Sequence, residues 1–377
     1  MRILIISDVS SWMPGGVPAE TRELIGGLTG RGHVVALASD APLKGAEGAR
    51  HFPLTIPVSR LLVDEVERAL RTFEPDFVHV VCMSSKGVLT LSSVLRSHPW
   101  ALTVHSVSPY ERKLPRWHDH EGLHYAARYA RFFPHTMAWH GVFRSGRVPR
   151  VIVHSDFMRR VLARYGCASD RVTLVPLAFH AGPPDHHANS SREGNSPRLV
   201  TVGGIAHTKG QHDLIRALAG LRRRFPGIQC QLIGEVRDES YLRWIRRLVG
   251  ELGLQDCVSI TPSLGHEAKV EALARADVYV QPSHEEGFCL SYAEAAAAVP
   301  RLVGTDTGAI ASMSMDDPGA IVVAPRRPAE ILDAVSRLLA IDLPRNHLKV
   351  RAERLSARFS AAAYLDAHER IYAAQSR

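Results

Sequence analysis

The chain has little cysteine and no paired cysteine motif. Its five cysteines are scattered along 377 residues, and no two of them form a C-x-x-C pair. Thiols this sparse and odd in number do not provide a disulfide framework or a cysteine-based metal site. We therefore expect reduced thiols, which are typical of a cytoplasmic protein.

Long apolar runs are also absent from the sequence. The N-terminal stretch is apolar only from Ile3 to Ile6 before Asp8 interrupts it, which is too short for a secretory signal. No run approaches the roughly 18 apolar residues that a membrane-spanning helix needs. We expect a cytoplasmic protein that is either free or attached peripherally to the cytoplasmic face of a membrane.

Histidine is abundant, but no metal-binding motif accompanies it. None of the 20 histidines lies in an H-E-x-x-H or similarly tight spacing, so the spacing rules predict no metal site. The net charge is +8, which favours nucleic acid, an anionic membrane or a phosphate-bearing ligand as partner. No nucleic-acid-binding motif is present, and we expect no nucleic-acid partner.

Short apolar segments alternate with helical patterns through the first half of the chain. The segment "RILIIS" is followed by a glycine-rich loop and a helical pattern over 19–28. Further apolar segments occupy 33–39, 76–81, 101–106 and 150–155. Continuously apolar strands that alternate with helices are typical of a parallel sheet covered on both faces. The first half is therefore predicted to be a doubly wound α/β domain.

A second domain is predicted after a polar segment. Residues 180–197 are rich in Pro, Gly, Ser and Asn without periodicity, as in a linker. The strand–helix alternation then begins again. We predict one Rossmann-like domain over 1–179 and another over 198–355. Residues 356–377 are predicted to form a helix that either stays with the second domain or crosses back to the first.

The segment "SHEEGFCLSYAEAAAA" (283–298) follows a predicted buried strand and leads into an alanine-rich helix. Gly287 allows close approach of the backbone, and the amides after it belong to a helix N-terminus. Such amides can bind an anion or sugar hydroxyls without a cationic side chain. Glu286 and Glu294 are separated by about two helical turns and share a helix face. In isolation, these carboxylates are equally compatible with a solvated helix end.

Residues 286–294 resemble the E-x7-E motif of retaining family 4 glycosyltransferases. The family usually has E-G-F-G-L at the front of this motif, whereas Cys289 replaces the second glycine here. The resemblance covers nearly the whole chain. Five further segments carry it, namely "MPGGV" (13–17), "GRGHVVALAS" (30–39), "TVHS" (103–106), "VGGIAHTKG" (202–210) and "GTDTGA" (304–309).

This resemblance implies an α/β protein of GT-B architecture, in which two Rossmann-like domains face a central cleft. Domain 1–179 would bind the acceptor, and domain 198–355 would bind the nucleotide sugar. The resemblance implies catalytic roles for His105 and Glu286. His105 would face the hydroxymethyl region of the donor sugar, and Glu286 would hold the sugar ring.

The resemblance also implies a donor-binding set. Lys209 would bind the diphosphate as a point charge, and Glu294 would accept hydrogen bonds from the ribose hydroxyls. The glycine loop near the N-terminus would close over the diphosphate. The implied donor-binding residues are Gly15, Gly16, Lys209, Gly287, Phe288, Cys289, Leu290 and Glu294.

The implied activity is a retaining, metal-independent transfer of a hexose-type sugar from a nucleoside-diphosphate donor to a hydroxyl acceptor. UDP is the commonest donor base in the family and is the expected one. The acceptor would be a small molecule or a lipid-linked glycan. No cofactor is implied beyond the nucleotide sugar itself, and neither sequence nor resemblance indicates the oligomeric state.

Two alternatives to a transferase remain at this point. Nucleotide-sugar epimerases can share the two-domain fold, although the order of the motifs argues against them. The family usually has an arginine five residues before the lysine, where this chain has Gly204, and a second glycine where it has Ala309. The missing arginine leaves open a non-catalytic partner that binds sugar nucleotides.

The stretch over 110–150 is rich in Arg, His and aromatic residues. Three interpretations are compatible with this composition. It lies on an anionic membrane surface near a lipid-linked acceptor, it lines an acceptor pocket, or it is a solvated helical excursion.

Overall fold

A computed structural model describes residues 1–7, 16–46, 48–55, 60–81, 83–107, 134, 136–179, 196–262 and 264–375. The described residues form two compact units. The first, called the N-terminal unit, comprises those within Met1–Pro109, Tyr129–Ala178 and Phe359–Arg377. The second, called the C-terminal unit, comprises those within Phe179–Arg358.

The N-terminal unit contains a seven-stranded parallel sheet with the order β3-β2-β1-β4-β5-β6-β7. Its strands are β1 (Arg2–Ile6), β2 (Val34–Ser39), β3 (Arg50–Pro53), β4 (Phe77–Val81), β5 (Trp100–Thr103), β6 (Val151–Val153) and β7 (Val172–Leu174). Strands β4 and β5 are buried along their whole length. Burial on both faces explains why their sequences are continuously apolar instead of alternating.

Strand β3 was not predicted from the sequence. Its four residues, "RHFP", form neither an apolar run nor an alternation. The strand lies at the edge of the sheet, where Pro53 is tolerated because an edge strand leaves one side of its backbone unpaired.

Besides the helical residues 136–144, five α-helices of the N-terminal unit lie within the described residues. They are α1 (Gly16–Gly30), α2 (Arg60–Phe73), α3 (Ser85–Val94), α4 (Asp156–Arg164) and α12 (Ala361–Gln375). The side chains of Ser84 and Ser155 accept hydrogen bonds from the first turns of α3 and α4, which satisfies amides that have no partner within the helix.

Helix α12 packs into the N-terminal unit although it comes last in the chain. The Tyr372 hydroxyl and His79 Nδ1 are 2.8 Å apart inside the core, and the rings of Tyr372 and Phe77 have centroids 4.5 Å apart. At the surface, Arg31 pairs with Asp366 and Glu369. The helix therefore covers β4 on one face of the sheet.

The C-terminal unit contains a six-stranded parallel sheet with the order β10-β9-β8-β11-β12-β13. Its strands are β8 (Arg198–Val202), β9 (Gln229–Ile233), β10 (Val258–Thr261), β11 (Val278–Gln281), β12 (Arg301–Thr305) and β13 (Ala320–Val323). Its helices are α5 (Gln211–Arg224), α6 (Glu239–Glu251), α7 (His266–Ala274), α8 (Leu290–Ala298), α9 (Ile310–Met313), α10 (Pro328–Ala340) and α11 (His347–Arg358).

The strand order places the candidate site. In the C-terminal sheet the order reverses between β8 and β11, which are adjacent and parallel. The loops that follow two such strands leave the sheet at the same edge, and this reversal point is where doubly wound sheets bind ligands. The predicted segments 202–210 and 283–298 follow these two strands.

Among the described residues, no helix combines the length and the apolar character required to cross a bilayer.

Candidate active site

The loops after β8 and β11 contact each other directly. Gly210 has a φ of +64°, and a β-carbon at this position would lie 2.0 Å from the carbonyl oxygen of Pro282. The backbone amide of His284 donates to the carbonyl of Thr208 at 2.8 Å. Glycine is therefore required at 210 both for its backbone conformation and for the close approach of the two loops.

This contact brings together Lys209 and Glu286. Lys209 Nζ lies 2.8 Å from Glu286 Oε2, and the two side chains are 21% and 9% exposed. The other carboxylate oxygen accepts a hydrogen bond from Ser283 Oγ at 2.7 Å and lies 3.4 Å from Gln281 Nε2. A carboxylate with partners on both oxygens has a fixed orientation, so the end of β11 presents Glu286 in one position.

The residue before α8, Cys289, is one of the departures from the family pattern, and its backbone conformation shows why glycine suits this position. Cys289 immediately precedes the helix and has a φ of +82°, a left-handed conformation that glycine adopts without strain. This is why glycine is usual at this position in the family. Cys289 is buried, and burial raises the pKa of its thiol, which makes it unsuited to act as a nucleophile at neutral pH.

The segment "GTDTGA" packs against the front of the motif. The amide of Ala309 donates to the carbonyl of Phe288 at 2.9 Å. Gly308 has a φ of +55°, and a β-carbon there would lie 2.7 Å from the same carbonyl oxygen. Ala309 has a φ of −96° and does not need to be glycine. The segment 304–309 therefore holds the backbone at Phe288.

Glu294 lies on α8, where its Oε2 is 2.8 Å from Lys269 Nζ of α7. Its side chain is 41% exposed, so solvent reaches the carboxylate although a lysine neutralises it. The pair is distinct from the Lys209–Glu286 pair. Lys269 was not singled out in the sequence, because a lysine on an exposed helix face carries no local signature.

The side chain of Arg237 packs against Gly204, the position at which the family usually has arginine. A β-carbon at Gly204 would lie 2.8 Å from both Cδ and Nε of Arg237. Arg237 is exposed and follows β9, and its backbone amide donates to the carbonyl of Ile205. The guanidinium group therefore lies directly beside the loop after β8, where a side chain at 204 would begin.

The remaining predicted residues belong to the N-terminal unit. His105 follows β5, and its ring Nε2 lies 3.3 Å from Glu20 Oε2. Burial lowers the pKa of His105 to about 4, although the Glu20 carboxylate opposes this shift. Gly16 is exposed at the start of α1. Gly15, most of the linker 180–197 and most of the basic stretch 110–150 lie outside the described residues, so their roles stay predictions.

Comparison with solved structures identifies the class of fold. The chain is similar to sucrose-phosphate synthase from Thermosynechococcus elongatus, with a TM-score of 0.78 and 20% identity over 99% of this chain and 98% of that one. It is also similar to HepE of Anabaena in complex with UDP, with a TM-score of 0.75 and 14% identity over 99% and 100% of the two chains. The predicted GT-B fold is thereby confirmed.

Family models match both halves of the chain. The model for group 1 glycosyl transferases matches residues 184–355, and the model for glycosyltransferase family 4 matches residues 14–180. The chain belongs to the family 4 glycosyltransferases, as the resemblance predicted.

Curated relatives cover the chain only in part. Glycogen synthase of Mycobacterium tuberculosis is 29% identical over 56% of this chain and 51% of its own length. Alpha-D-kanosaminyltransferase of Streptomyces kanamyceticus is 32% identical over 47% and 45% of the two chains. The chain thus spans about half the length of the curated relatives that it matches.

Proposed function

We propose that the protein is a retaining glycosyltransferase that moves a hexose-type sugar from a nucleoside-diphosphate donor to a hydroxyl acceptor without a metal. The observation that carries this proposal is the Lys209–Glu286 contact of 2.8 Å between the loops after β8 and β11. It joins a cation suited to a diphosphate and a carboxylate suited to sugar hydroxyls at the point where such sheets bind ligands.

Lys209 and Arg237 bind the diphosphate in this proposal. A leaving diphosphate gains negative charge as the glycosidic bond breaks, and fixed cations stabilise that charge. In this proposal Arg237, whose side chain lies against Gly204, supplies the cation that the family usually has as an arginine at that position. The non-catalytic alternative depended on the absence of this arginine and loses its main support.

Glu286 and the backbone of residues 287–290 hold the sugar ring, and Glu294 binds the ribose hydroxyls. The bond between the anomeric carbon and the diphosphate oxygen breaks, and the acceptor oxygen bonds to that carbon on the same face. The acceptor proton passes to the departing phosphate, so no protein base is needed. The task of the protein is then positioning together with charge stabilisation.

The proposed donor is a UDP sugar. HepE, which shares the fold, has been solved with UDP and with UDP-glucose. A relative in Mycobacterium tuberculosis with 31% identity over 48% of this chain is named as a GDP-mannose-dependent mannosyltransferase, so the base must be measured. Relatives named as D-inositol 3-phosphate glycosyltransferases favour a small polyol among the acceptors.

The test is thermal stabilisation of the purified protein by UDP-, GDP-, ADP- and dTDP-sugars in metal-free buffer. A ligand that binds only the folded state stabilises it by about 2.7 kcal/mol at a hundredfold excess over its dissociation constant. We expect a shift with UDP sugars that the Lys209→Met variant loses. A shift with another base would correct the donor, and the absence of any shift would overturn the proposal.

A further inference from the structure

Three buried polar side chains lie along β11 and the two residues that follow it. Tyr279 and Gln281 belong to the strand, and Ser283 comes two residues later. Their exposed fractions are 0%, 1% and 0%. The central strands of a sheet that is covered on both faces are usually apolar. Polar residues at alternate positions of such a strand therefore need an explanation.

These three side chains form a chain of hydrogen bonds that ends at Glu286. Ser283 Oγ donates to Glu286 Oε1 at 2.7 Å, and Gln281 Nε2 donates to Ser283 Oγ at 2.8 Å. The hydroxyl of Tyr279 donates to Gln281 Oε1. The chain therefore leads without a break from the middle of the sheet to the carboxylate that is assigned to the sugar ring.

The direction of this hydrogen-bond chain follows from its last member. A carboxylate oxygen only accepts, so the single hydroxyl hydrogen of Ser283 points to Glu286. Ser283 Oγ must then accept from Gln281, which turns the amide nitrogen of Gln281 toward Ser283 and its oxygen toward Tyr279. Glutamine suits this position because one end of its amide donates and the other end accepts. A glutamate or an apolar residue cannot do both.

The chain is also joined to the neighbouring elements of the candidate site. Gln281 Oε1 accepts a second hydrogen bond, at 3.3 Å, from Ser291 in the first turn of α8. The hydroxyl of Tyr279 lies 3.3 Å from the carbonyl oxygen of Val202, the last residue of β8. Gln281 thus connects the strand that precedes the Lys209 loop with the helix that follows Glu286.

We propose that Gln281 is a positioning residue for sugar transfer that acts through Ser283 on Glu286. Because the chain holds Glu286 Oε1 as an acceptor, the carboxylate keeps one orientation and presents Oε2, the oxygen that contacts Lys209 at 2.8 Å, to the donor sugar. The inference rests on the proposed function, in which Glu286 holds the sugar ring. It adds that the placement of this carboxylate is set inside the sheet, five residues earlier in the chain.

The first measurement reverses the hydrogen-bond chain and needs no substrate. In Gln281→Glu, two carboxylates face the one hydroxyl hydrogen of Ser283. In the exchange variant Gln281→Glu/Glu286→Gln, the new amide at position 286 donates to Ser283, and Ser283 donates to the new carboxylate at position 281. Denaturant unfolding should therefore give the exchange variant a smaller loss of unfolding free energy than the sum of the losses in the two single variants. The exchange variant should not transfer sugar.

The second measurement separates positioning from a purely structural role. Gln281→Met keeps the length of the side chain and removes both polar ends. Its kcat for transfer should fall by about 10- to 100-fold, because a displaced group that holds the substrate lowers the rate. Its affinity for the nucleoside diphosphate alone, which has no sugar for Glu286 to hold, should equal that of the wild type. If Gln281→Met does not fold, Tyr279→Phe takes its place with the same two measurements and a smaller expected loss of kcat.

The matched control is Gln231→Glu on β9, two strands away from β11. Gln231 Nε2 also donates to a hydroxyl, that of Thr261 at 3.1 Å, but this pair has no printed link to Glu286 in the chain described above. The loss of unfolding free energy in Gln231→Glu should simply add to that in Glu286→Gln, and its rate of transfer should equal that of the wild type.

The outcomes distinguish failure of this proposal from failure of the proposed function. Additive losses for Gln281→Glu and Glu286→Gln would show that the two residues share no hydrogen-bond chain and would overturn the proposal. An unchanged kcat in Gln281→Met, or an equal loss of nucleoside-diphosphate affinity, would also overturn it. If the wild type transfers no sugar although the exchange variant shows the expected coupling, the proposed function fails, and the role of Gln281 in transfer fails with it.

Discussion

Two groups of charged side chains, one in each unit, differ in their exposure to solvent. In the C-terminal unit, Lys209 and Lys269 each neutralise a carboxylate at the edge of the sheet, and solvent reaches both pairs. In the N-terminal unit, Glu20 and its histidines are buried, and several of their polar atoms have no hydrogen-bond partner. Paired and accessible charges can exchange partners with a ligand. Buried groups instead stay with the partners that the fold gives them, as Glu20 does with His154.

The largest effect is expected from the accessible pairs. Lys209→Met and Glu286→Gln should each reduce kcat/KM for transfer by at least about 100-fold, because both act on charge or geometry at the sugar and diphosphate. Glu294→Gln should also lose transfer through weaker ribose binding. Steady-state kinetics with the donor identified by thermal shift will measure this. Arg275→Met removes an exposed pair with Glu271 and should retain activity; equal losses in this control would contradict the assignment.

The role of Arg237 can be tested by moving its positive charge to position 204. Arg237→Met should weaken donor binding by about 10- to 100-fold, since hydrogen bonds to charged groups contribute about 1.5–3 kcal/mol. Gly204→Arg alone should not improve binding, because its side chain would collide with Arg237. The double variant Gly204→Arg/Arg237→Ala should regain affinity.

Calorimetric titration measures these affinities, with the exposed Arg246→Met as control. If Arg237→Met binds the donor as well as Arg246→Met does, Arg237 is not a diphosphate ligand.

Substitutions in α12 should change stability and not donor affinity. Tyr372→Phe removes the partner of the buried His79 Nδ1 and should cost about 1–3 kcal/mol of unfolding free energy. Glu369→Gln, on the same helix, weakens a surface contact with Arg31 and should cost less than about 1 kcal/mol. Denaturant unfolding measures both losses of unfolding free energy, and hydrogen exchange of the β4 amides measures them at the contact. Equal losses would show that surface contacts mainly hold α12 in the unit.

A pH effect is expected from the C-terminal unit. Burial first, and then His207 and His284, lower the pKa of His212 far below its usual 6.5, so the folded protein keeps this ring neutral. The unfolded chain takes up a proton near pH 6.5. The stabilisation is therefore present above that pH and is lost as the pH falls, by about 1.4 kcal/mol per pH unit.

Plots of melting temperature against pH from 7.5 to 5 should consequently be steeper for the wild type than for His212→Asn. Parallel curves would mean that His212 does not titrate differently in the two states. The charged or titratable groups around this ring are His207, Asp213, Arg216, Tyr241, His284 and Arg326.

The smallest effect concerns Cys289. Its left-handed backbone costs a residue with a side chain about 1–2 kcal/mol relative to glycine, so Cys289→Gly should be more stable than Cys289→Ala by about 1 kcal/mol. Chemical denaturation of the two variants gives the difference. A more stable alanine variant would mean that the loop relaxes to a negative φ.

Much of the fold could be predicted from the sequence, because buried parallel strands are continuously apolar and stand out between helices. β3 could not, since four mixed residues at a sheet edge have no periodic pattern. The contact of Lys209 with Glu286 is compatible with the predicted donor site, although its function stays a prediction. Arg237 had no signature in its polar loop, and only the absence of the family's arginine at Gly204 gave a reason to look for another cation.

The contacts of Glu20 with His105 and His154 could not be predicted by spacing rules. Glu20, His105 and His154 come from three elements far apart in the chain, and each residue alone resembles an ordinary helix or strand-end residue. Such a cluster exists only after the sheet has brought the ends of β5 and β6 together, so no local pattern records it.

The position of α12 has a consequence for biosynthesis. Every described residue of the C-terminal unit is translated before α12, whereas the N-terminal unit needs α12 for the partners of His79 and Glu20. Domains usually fold in the order in which they leave the ribosome. Here the unit that is made first obtains the partners of His79 and Glu20 only after the whole described C-terminal unit has been synthesised.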